Sequence, residues 1–218
     1  MRSRRVVVTG IGALTPIGNN VKDYWRALQD GVSGAAPITH FNSENFKTQF
    51  ACEVKNFEVT DFINRKEARK MDLFCQYAMV ASDEAIIDSA LNLDEINLDR
   101  AGVIWGSGIG GMNSFQQETS NFAKGNGTPR YSPFFIPKLI SDIPAGYISI
   151  KYGFRGPNFT TVAACASSTN ALSRARAWSC ACAVLMPSIR VAVNNKCFIC
   201  LFLCGLISKR NNCVFIII

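Results

Sequence analysis

The segment Thr160-Thr-Val-Ala-Ala-Cys-Ala-Ser-Ser-Thr169 decides the fold that this sequence predicts. Its first part is rich in Thr and Val, which favour a β-strand, and its second part opens with small polar residues that favour a helix start. Because the strand gives way directly to the helix, Cys165 is placed at or near the helix N-terminus. There the unpaired backbone N–H groups and the positive end of the helix dipole favour a thiolate.

Cys165 has two interpretations from this local pattern. Its small neighbours, Ala163, Ala164 and Ala166, leave room for a substrate beside the sulfur. The same N–H groups can stabilise an oxyanion, and removal of one such donor slows enzymes by about 10²–10³. A buried structural cysteine is, however, the commonest fate of a free thiol. The local pattern favours the two interpretations equally.

Strands and helices alternate outward from this segment, which indicates an α/β layered fold with a largely buried sheet. Val6, Val7 and Val8 predict a buried strand over 5–9, and Asn20 can cap a helix that Gly31 ends. The other predicted elements are strands over 101–105 and 159–164 and helices over 65–90, 112–124, 138–152 (interrupted at Pro144) and 166–177.

The composition changes partway along the chain. The net charge is +7, yet up to Asp142 there are 15 basic and 16 acidic residues, and eight basic residues and no acid follow. This is not the interleaved basic and aromatic surface that binds nucleic acid, so we predict no nucleic-acid partner. The N-terminal apolar run is too short for a signal peptide, which predicts a cytoplasmic protein with reduced cysteines.

We divide the chain into a domain over 1–172 and an unassigned, apolar, Cys-rich tail over 173–218. Two apolar runs in the tail, 196–208 and 213–218, fit neither helical nor strand periodicity, and both are shorter than the roughly 20 residues that span a bilayer. A shifted reading frame or a damaged gene end explains the tail most simply. Membrane association, or zinc binding by Cys197, Cys200, Cys204 and Cys213, is the alternative, but a second C-x-x-C and turn residues are missing, so we predict no metal.

A glycine-rich segment, Gly106-Ser-Gly-Ile-Gly-Gly111, follows a predicted strand and precedes a predicted helix, as a dinucleotide-binding fingerprint does. That fold also needs an acidic residue about 20 positions further on to hold a ribose hydroxyl. The corresponding segment, Gly127 to Pro133, contains neither Asp nor Glu. Dinucleotide binding is therefore the weaker hypothesis, and we predict no cofactor.

Six ordered segments between Arg4 and Leu172 resemble the beta-ketoacyl-acyl-carrier-protein synthase family, in its type II elongation form. They are Arg4–Gly12 with Thr15–Gly18, Arg65–Asp72, Gly106–Gly111, Ser132–Pro137, Tyr152–Pro157 and Ala164–Ser167. The resemblance implies a thiolase-like layered fold, of which this chain contains the N-terminal half only, and a homodimer in the full-length family.

The resemblance also implies a reaction. Cys165 matches the family's nucleophile, which takes an acyl chain from acyl-carrier protein as a thioester. Malonyl-loaded carrier protein then loses CO₂, and its carbanion attacks the thioester in a Claisen condensation of fatty acid biosynthesis. The basic segment before residue 72 favours carrier protein over coenzyme A thioesters, the substrates of thiolase-like relatives.

Two further sets of residues match functional positions of the family. The residues that match the acyl pocket are Ile109, Phe134 and Phe135. The residues that match the contact with the acidic carrier protein are Lys66, Arg69 and Lys70, whose spacing places them on one face of the predicted helix. Simple core packing for the first set and a solvated helix face for the second are the alternatives that the residues alone allow.

The chain also departs from the family. Members carry two histidines and a lysine in their second half, with a glycine-rich segment that completes the oxyanion hole. This sequence has one histidine, His40, in a predicted loop. We therefore expect a truncated chain in which Cys165 still accepts an acyl group slowly and condensation is negligible, or an inactive fragment.

Overall fold

The structure is a computed structural model that describes residues 7–125, 128, 130–181, 197–201 and 213–217. Its helices are α1 (Val21–Gln29), α2 (Arg65–Ala68), α3 (Leu73–Asp88), α4 (Met112–Lys124), α5 (Phe135–Leu139), α6 (Ile143–Tyr152) and α7 (Ser167–Ala181). Its strands are β1 (Val7–Ile11), β2 (Ala36–Pro37), β3 (Phe50–Ala51), β4 (Ala101–Gly106), β5 (Asn158–Thr161), β6 (Cys197–Leu201) and β7 (Cys213–Ile217).

A five-stranded parallel sheet in the order β1-β7-β6-β4-β5 organises the described residues. The antiparallel pair β2-β3 lies apart from it. Helices lie between β1 and β4, between β4 and β5, and between β5 and β6 along the chain, as expected for an α/β fold. The predicted α/β layered class is therefore confirmed.

Strand β4 is buried on both faces along its whole length. Ala101, Val103 and Trp105 pack with residues of α3 and α6 in the main hydrophobic core. Because side chains alternate along a strand, Gly106 lies on the opposite face, where it contacts Ser167 at the start of α7. Helices therefore cover β4 on both sides. On α7 the fully buried residues include Ala171 and Ala175.

Glycines let α3 pack directly on the backbone of β1 and the loop after it. A Cβ atom at Gly10 would lie 2.1 Å from the Ala85 carbonyl oxygen, and one at Gly12 would lie 2.0 Å from that of Ala81. Acidic side chains of α3 hold the same loop, since Asp88 accepts a hydrogen bond from Ile11 N–H (2.9 Å). Glu84 accepts from Ala13 N–H and Val21 N–H, both at 2.8 Å.

Several element predictions are confirmed. Asn20 caps α1 and accepts from Asp23 N–H at 2.8 Å. Helix α4 has the predicted bounds, and the interruption near Pro144 is real, since α5 ends at Leu139 and α6 starts again at Ile143. Helix α5 begins at Phe135, before the predicted helix start at residue 138.

The predicted helix over 65–90 was wrong as one element. It is divided into α2, a single turn, and α3, because Asp72 adopts an extended conformation and caps α3. Its carboxylate accepts hydrogen bonds from Phe74 N–H in α3 and from Ser114 N–H in α4. These bonds favour a new helix start over a continuous helix.

The absence of periodicity in the tail was also misleading. Two tail segments, Cys197–Leu201 and Cys213–Ile217, form parallel strands between β1 and β4. Central parallel strands are buried on both faces and are apolar throughout, so they lack the alternation that identifies a half-exposed strand. Most of the run over 196–208 lies outside the described residues.

We predict that Gly10→Ala lowers the free energy of unfolding by at least about 2 kcal/mol, since overpacking a close contact typically costs about 1–3 kcal/mol. The matched control is Gly146→Ala in α6, where an added Cβ meets no atom within 4 Å. There alanine should stabilise the helix by about 0.5–1 kcal/mol. Urea denaturation of both variants provides the measurement, and equal effects of the two substitutions would contradict the packing described.

Cys75, in α3, is fully buried, and burial, with Asp72 adding to it, raises the pKa of its thiol from 9.0 to about 12. Because the pKa of the Cys75 thiol is higher in the folded than in the unfolded chain, the stability that Cys75 contributes is complete below the unfolded-state pKa. It is lost as pH rises toward about 12. We therefore expect the stability advantage of the wild type over Cys75→Ala to narrow between about pH 8 and about pH 10.5 in urea denaturation. Cys52→Ala, which removes an exposed thiol, is the control, and an equal narrowing there would contradict burial of Cys75 as the cause.

Candidate functional site

Cys165 lies in a tight turn between β5 and α7. A single 3₁₀ turn, Ala164–Ala166, follows the strand, and α7 begins at Ser167. Ala164 has a φ of +46°, in the left-handed region that costs an alanine about 1–2 kcal/mol. The sharp reversal at Ala164 brings Cys165 out of the sheet edge and directly before the helix, as the sequence predicts.

Hydrogen bonds within the turn hold this conformation. The Ser167 hydroxyl donates to the Ala164 carbonyl oxygen (2.7 Å) and accepts from Ala163 N–H (2.8 Å). The Thr161 hydroxyl donates to the Ser167 carbonyl oxygen at 2.8 Å. A Cβ atom at Gly106 would lie 2.8 Å from the Ser167 carbonyl carbon, so only glycine allows α7 to approach β4 this closely.

The sulfur of Cys165 is accessible, and the amides near it are open. Cys165 and its neighbours Ala164 and Ala166 are exposed. Within the described part of the chain, the N–H groups of Ala164 and Cys165 donate no hydrogen bond, whereas that of Ala166 bonds to the Ala163 carbonyl oxygen (3.0 Å). An exposed thiol beside unpaired amides can attack an electrophilic carbonyl and stabilise the oxyanion that forms. The structural-cysteine interpretation fits Cys75 instead.

The glycine-rich loop between β4 and α4 lies next to this turn. A Cβ atom at Gly108 would be 3.8 Å from the Ala164 carbonyl oxygen. The loop packs on α5 and the residues that follow it: a Cβ at Gly110, whose φ is +116°, would lie 2.3 Å from the Leu139 carbonyl oxygen. The Ser141 hydroxyl donates to the Ile109 carbonyl oxygen at 2.7 Å. The structure thus brings Ile109 close to the Cys165 turn.

The same loop does not offer a phosphate site. Dinucleotide folds leave the amides at the start of the following helix free for the pyrophosphate. Here Ser114 N–H, in the first turn of α4, donates to the buried Asp72 carboxylate at 3.0 Å. Gly111 N–H donates to the Leu139 carbonyl oxygen (3.1 Å) and Met112 N–H to that of Gly110 (2.9 Å). These amides are occupied, which removes the dinucleotide hypothesis.

The three predicted acyl-pocket residues have different surroundings. Ile109 is 67% exposed and Phe134 is 39% exposed, so neither is a core residue within the described structure. Phe135 is half-buried and stacks on Tyr131 and Phe115, with ring centroids 5.4 Å and 6.4 Å apart. Core packing is therefore an inadequate account of Ile109 and Phe134, and their role in a pocket stays a prediction.

The three predicted carrier-protein residues do not share one helix face. Helix α2 ends at Ala68, Arg69 is its C-cap, and Lys70 follows in a turn, so the predicted geometry was wrong. Lys66 and Arg69 are exposed, and Lys70 pairs with Glu67 at 2.7 Å. The basic turn (Arg65–Lys70) is nevertheless linked to the helix that follows the glycine-rich loop. Asp72, next to the basic turn, accepts a hydrogen bond from the Ser114 hydroxyl in the first turn of α4.

Other hypotheses find no support in the described residues. In that part of the chain, no group of three or more His, Cys, Asp or Glu side chains is placed to hold a metal ion. No described helix has the length and apolar character needed to cross a bilayer. The side chains of Cys197, Cys200, Cys204 and Cys213 lie outside the described residues, as does most of the tail. His40 is an exposed loop residue.

Sequence reasoning missed two polar residues of the site. Ser167 looks like one more small helix-starting residue, and only the structure shows that its side chain bonds backward to the turn. Asp72 follows an apolar residue in an apparently continuous helix. Its signal was the Asp itself before an apolar run, which is typical of an N-cap.

Comparison with known proteins gives consistent relatives. A curated 3-oxoacyl-(acyl-carrier-protein) synthase 2 from Synechocystis sp. is 46% identical over 176 residues, which cover 80% of this chain and 42% of the relative. The protein of the same name from Staphylococcus aureus (strain COL) is 47% identical over 174 residues, with the same coverage. The chain thus spans about two fifths of the length of the curated relatives it matches.

Solved structures agree in fold. A beta-ketoacyl synthase from Burkholderia phymatum STM815 has a TM-score of 0.66 at 24% identity and covers 84% of this chain and 44% of that one. The ishigamide ketosynthase/chain length factor has a TM-score of 0.66 at 28% identity, with 73% and 40% covered. The thiolase-like fold is therefore confirmed.

The family model described as "Beta-ketoacyl synthase, N-terminal domain" matches residues 3–213, past the domain boundary predicted at Leu172. With nearly the whole chain matched, and with the exposed cysteine at a strand–helix turn, the chain belongs to the beta-ketoacyl synthase family.

Proposed function

We propose that Cys165 is the acyl-accepting nucleophile of a beta-ketoacyl-acyl-carrier-protein synthase. The observation that carries this proposal is the exposed thiol of Cys165 in a left-handed turn at the start of α7, with unpaired amides beside it. The names of the curated relatives, 3-oxoacyl-(acyl-carrier-protein) synthase 2, support the same reaction class.

Acylation uses only groups near this turn. The Cys165 thiolate attacks the thioester carbonyl of an acyl-loaded carrier protein, and the negative charge moves to the carbonyl oxygen. The open N–H groups of Ala164 and Cys165 are suitable donors to that oxyanion. When the tetrahedral intermediate collapses, the carrier's thiol leaves with the proton that Cys165 lost, and the acyl chain stays on the cysteine.

Condensation completes the proposed reaction. Malonyl-carrier protein loses CO₂, the resulting carbanion attacks the Cys165 thioester, and the Cys165 thiolate leaves as a beta-ketoacyl-carrier protein forms. The family resemblance assigns decarboxylation to two histidines in the second half, whereas these 218 residues contain only His40. We therefore propose that this chain carries out acylation, and that condensation belongs to the complete two-half enzyme.

Ile109 is the residue we propose to border the acyl chain nearest the sulfur. A Cβ atom at Gly108 would lie 3.8 Å from the Ala164 carbonyl oxygen, and the next residue, Ile109, has an exposed side chain, which supports this assignment. Phe134 and Phe135 would line the chain further out. Other exposed aromatic residues lie nearby in the chain: Phe115 and Phe122 on α4, and Tyr131 in the loop before α5.

Carrier protein is the proposed partner, and the basic turn is its proposed contact. Lys66 and Arg69 are exposed and have no ion pair within the described residues. An acidic partner gains most from such free charges, because they steer association and are not already neutralised. Lys70 contributes less in this proposal, since Glu67 already pairs with its ammonium group.

A homodimer, a cytoplasmic location and the division of the chain at Leu172 complete the proposal. The exposed aromatic face of α4 and α5 supports the dimer, since contiguous exposed apolar surface marks interaction sites. The change in charge and cysteine content supports the division, whereas β6 and β7 of the tail lie between β1 and β4 in the same sheet.

We predict that the purified chain becomes acylated at Cys165 when incubated with an octanoyl thioester of N-acetylcysteamine. Peptide mass spectrometry should locate the acyl group on Cys165, and Cys165→Ser should remove it. Cys52→Ala is the matched control, because Cys52 is exposed but does not lie at a helix start. Equal acylation of Cys52 and Cys165 would sink the proposal, since it would show simple thiol exchange.

We predict a ranked effect of the basic turn on carrier-protein binding. Lys66→Ala and Arg69→Ala should each raise the Kd by about 3- to 10-fold, or up to about 1.4 kcal/mol. Lys70→Ala should change it less than about twofold, since exposed and already paired charges contribute little. Calorimetry at low salt provides the measurement. Lys22→Ala, an exposed lysine on α1, is the control, and an effect there equal to that of Arg69→Ala would contradict the proposed contact.

A further inference from the structure

We propose that Ser167 is a positioning residue for Cys165: its buried hydroxyl fixes the peptide group between Ala164 and Cys165, so that the Cys165 N–H points into open space beside the sulfur. This inference deepens the proposed function and rests on it for the role of Cys165. It is carried by the hydrogen bonds of one side chain and by the backbone conformation that they hold.

The peptide group between Ala164 and Cys165 is planar, and its C=O and N–H point in opposite directions. The Ser167 hydroxyl donates to the Ala164 carbonyl oxygen at 2.7 Å. Because that bond fixes the carbonyl on the Ser167 side, the Cys165 N–H is directed to the other side. It makes no hydrogen bond within the described residues, which is the state an oxyanion donor needs before substrate arrives.

The second bond of Ser167 holds the other side of Ala164. Ala163 N–H donates to the same hydroxyl oxygen at 2.8 Å, so one side chain bonds to the backbone on both sides of the strained turn. A strained backbone conformation persists only where the surroundings determine it more than once. This geometry differs from an ordinary helix cap, in which the side chain accepts from amides further along the helix rather than behind it.

Ser167 is itself held in place. It is 2% exposed, the Thr161 hydroxyl donates to its carbonyl oxygen, and Gly106 lets α7 sit against β4 at this point. Its single hydroxyl proton is used on the Ala164 carbonyl, so Ser167 has no proton left to donate to the substrate. It acts through the Cys165 backbone.

The test compares Ser167→Ala with Ser167→Thr, which keeps the hydroxyl, and with Ser168→Ala, a matched serine on the next position. The iodoacetamide alkylation rate of Cys165 is measured by peptide mass spectrometry across a pH series, with Cys52 in the same sample as reference. In Ser167→Ala the Cys165 rate near pH 7 should fall at least about fivefold and its pH profile should move to higher pH, because the N–H that can stabilise negative charge beside the sulfur is no longer held in place. Ser167→Thr and Ser168→Ala should stay within about twofold of the wild type.

A merely structural role would alter the stability of the variant without moving the pH profile of a folded sample, so an unchanged profile in Ser167→Ala overturns the inference. If Ser167→Ala does not fold, as judged by circular dichroism, Thr161→Val replaces it, since valine keeps the shape and removes the hydrogen bond to Ser167. Its profile should move in the same direction, and an unmoved profile overturns the inference equally.

Thioester acylation separates this inference from the proposed function. If the octanoyl thioester does not acylate the wild type but Ser167→Ala shifts the alkylation profile, the proposed function is wrong and Ser167 is still a positioning residue. If the wild type is acylated but the alkylation profile of Ser167→Ala is unchanged, the proposed function stands and the positioning role of Ser167 is overturned.

Discussion

Direct contact between helix backbone and strand backbone, at positions where only glycine fits, is the constraint on which the rest of the structure depends. Gly10 and Gly12 bring α3 onto β1 and its loop, and Gly106 brings the start of α7 onto β4. A Cβ atom at Gly106 would lie 2.8 Å from the Ser167 carbonyl carbon, so a side chain there would push the start of α7 away from β4. The position of Cys165 therefore depends on a glycine, Gly106, that is distant from it in the sequence.

The same kind of close packing distinguishes the glycine-rich loop from a nucleotide-binding loop. Its glycines bring the loop onto the backbone that follows α5, and the Asp72 carboxylate occupies Ser114 N–H at the start of α4. Gly111 N–H and Met112 N–H are also bonded within the protein, and Ile109 follows Gly108, where a Cβ atom would lie 3.8 Å from the Ala164 carbonyl oxygen. A G-x-G-x-x-G pattern thus specifies close packing first, and phosphate binding only where the amides stay free.

Sequence reasoning identified the α/β class, the strand–helix junction at Cys165 and the bounds of α4, because each depends on local residues. It failed where distant residues decide. The break at Asp72 depends on Ser114, 42 positions away, and the sheet positions of Cys197–Leu201 and Cys213–Ile217 depend on strands elsewhere in the chain. The pocket and carrier-protein residues came from family resemblance, since nothing in their own spacing distinguishes them from a packed or solvated face.

Burial separates Cys75 from Cys52 and Cys165, but it cannot separate Cys165 from Cys52, because both are exposed. The difference between those two lies in the backbone. Cys52 follows a two-residue strand, whereas Cys165 follows a left-handed alanine and has unpaired amides beside it. Exposure leaves the Cys165 thiol accessible, and the turn leaves two backbone N–H groups beside it without a hydrogen bond in the described part of the chain. Among Cys52, Cys75 and Cys165, only Cys165 is both exposed and preceded by a left-handed residue, so the backbone turn distinguishes this position more than the cysteine itself does.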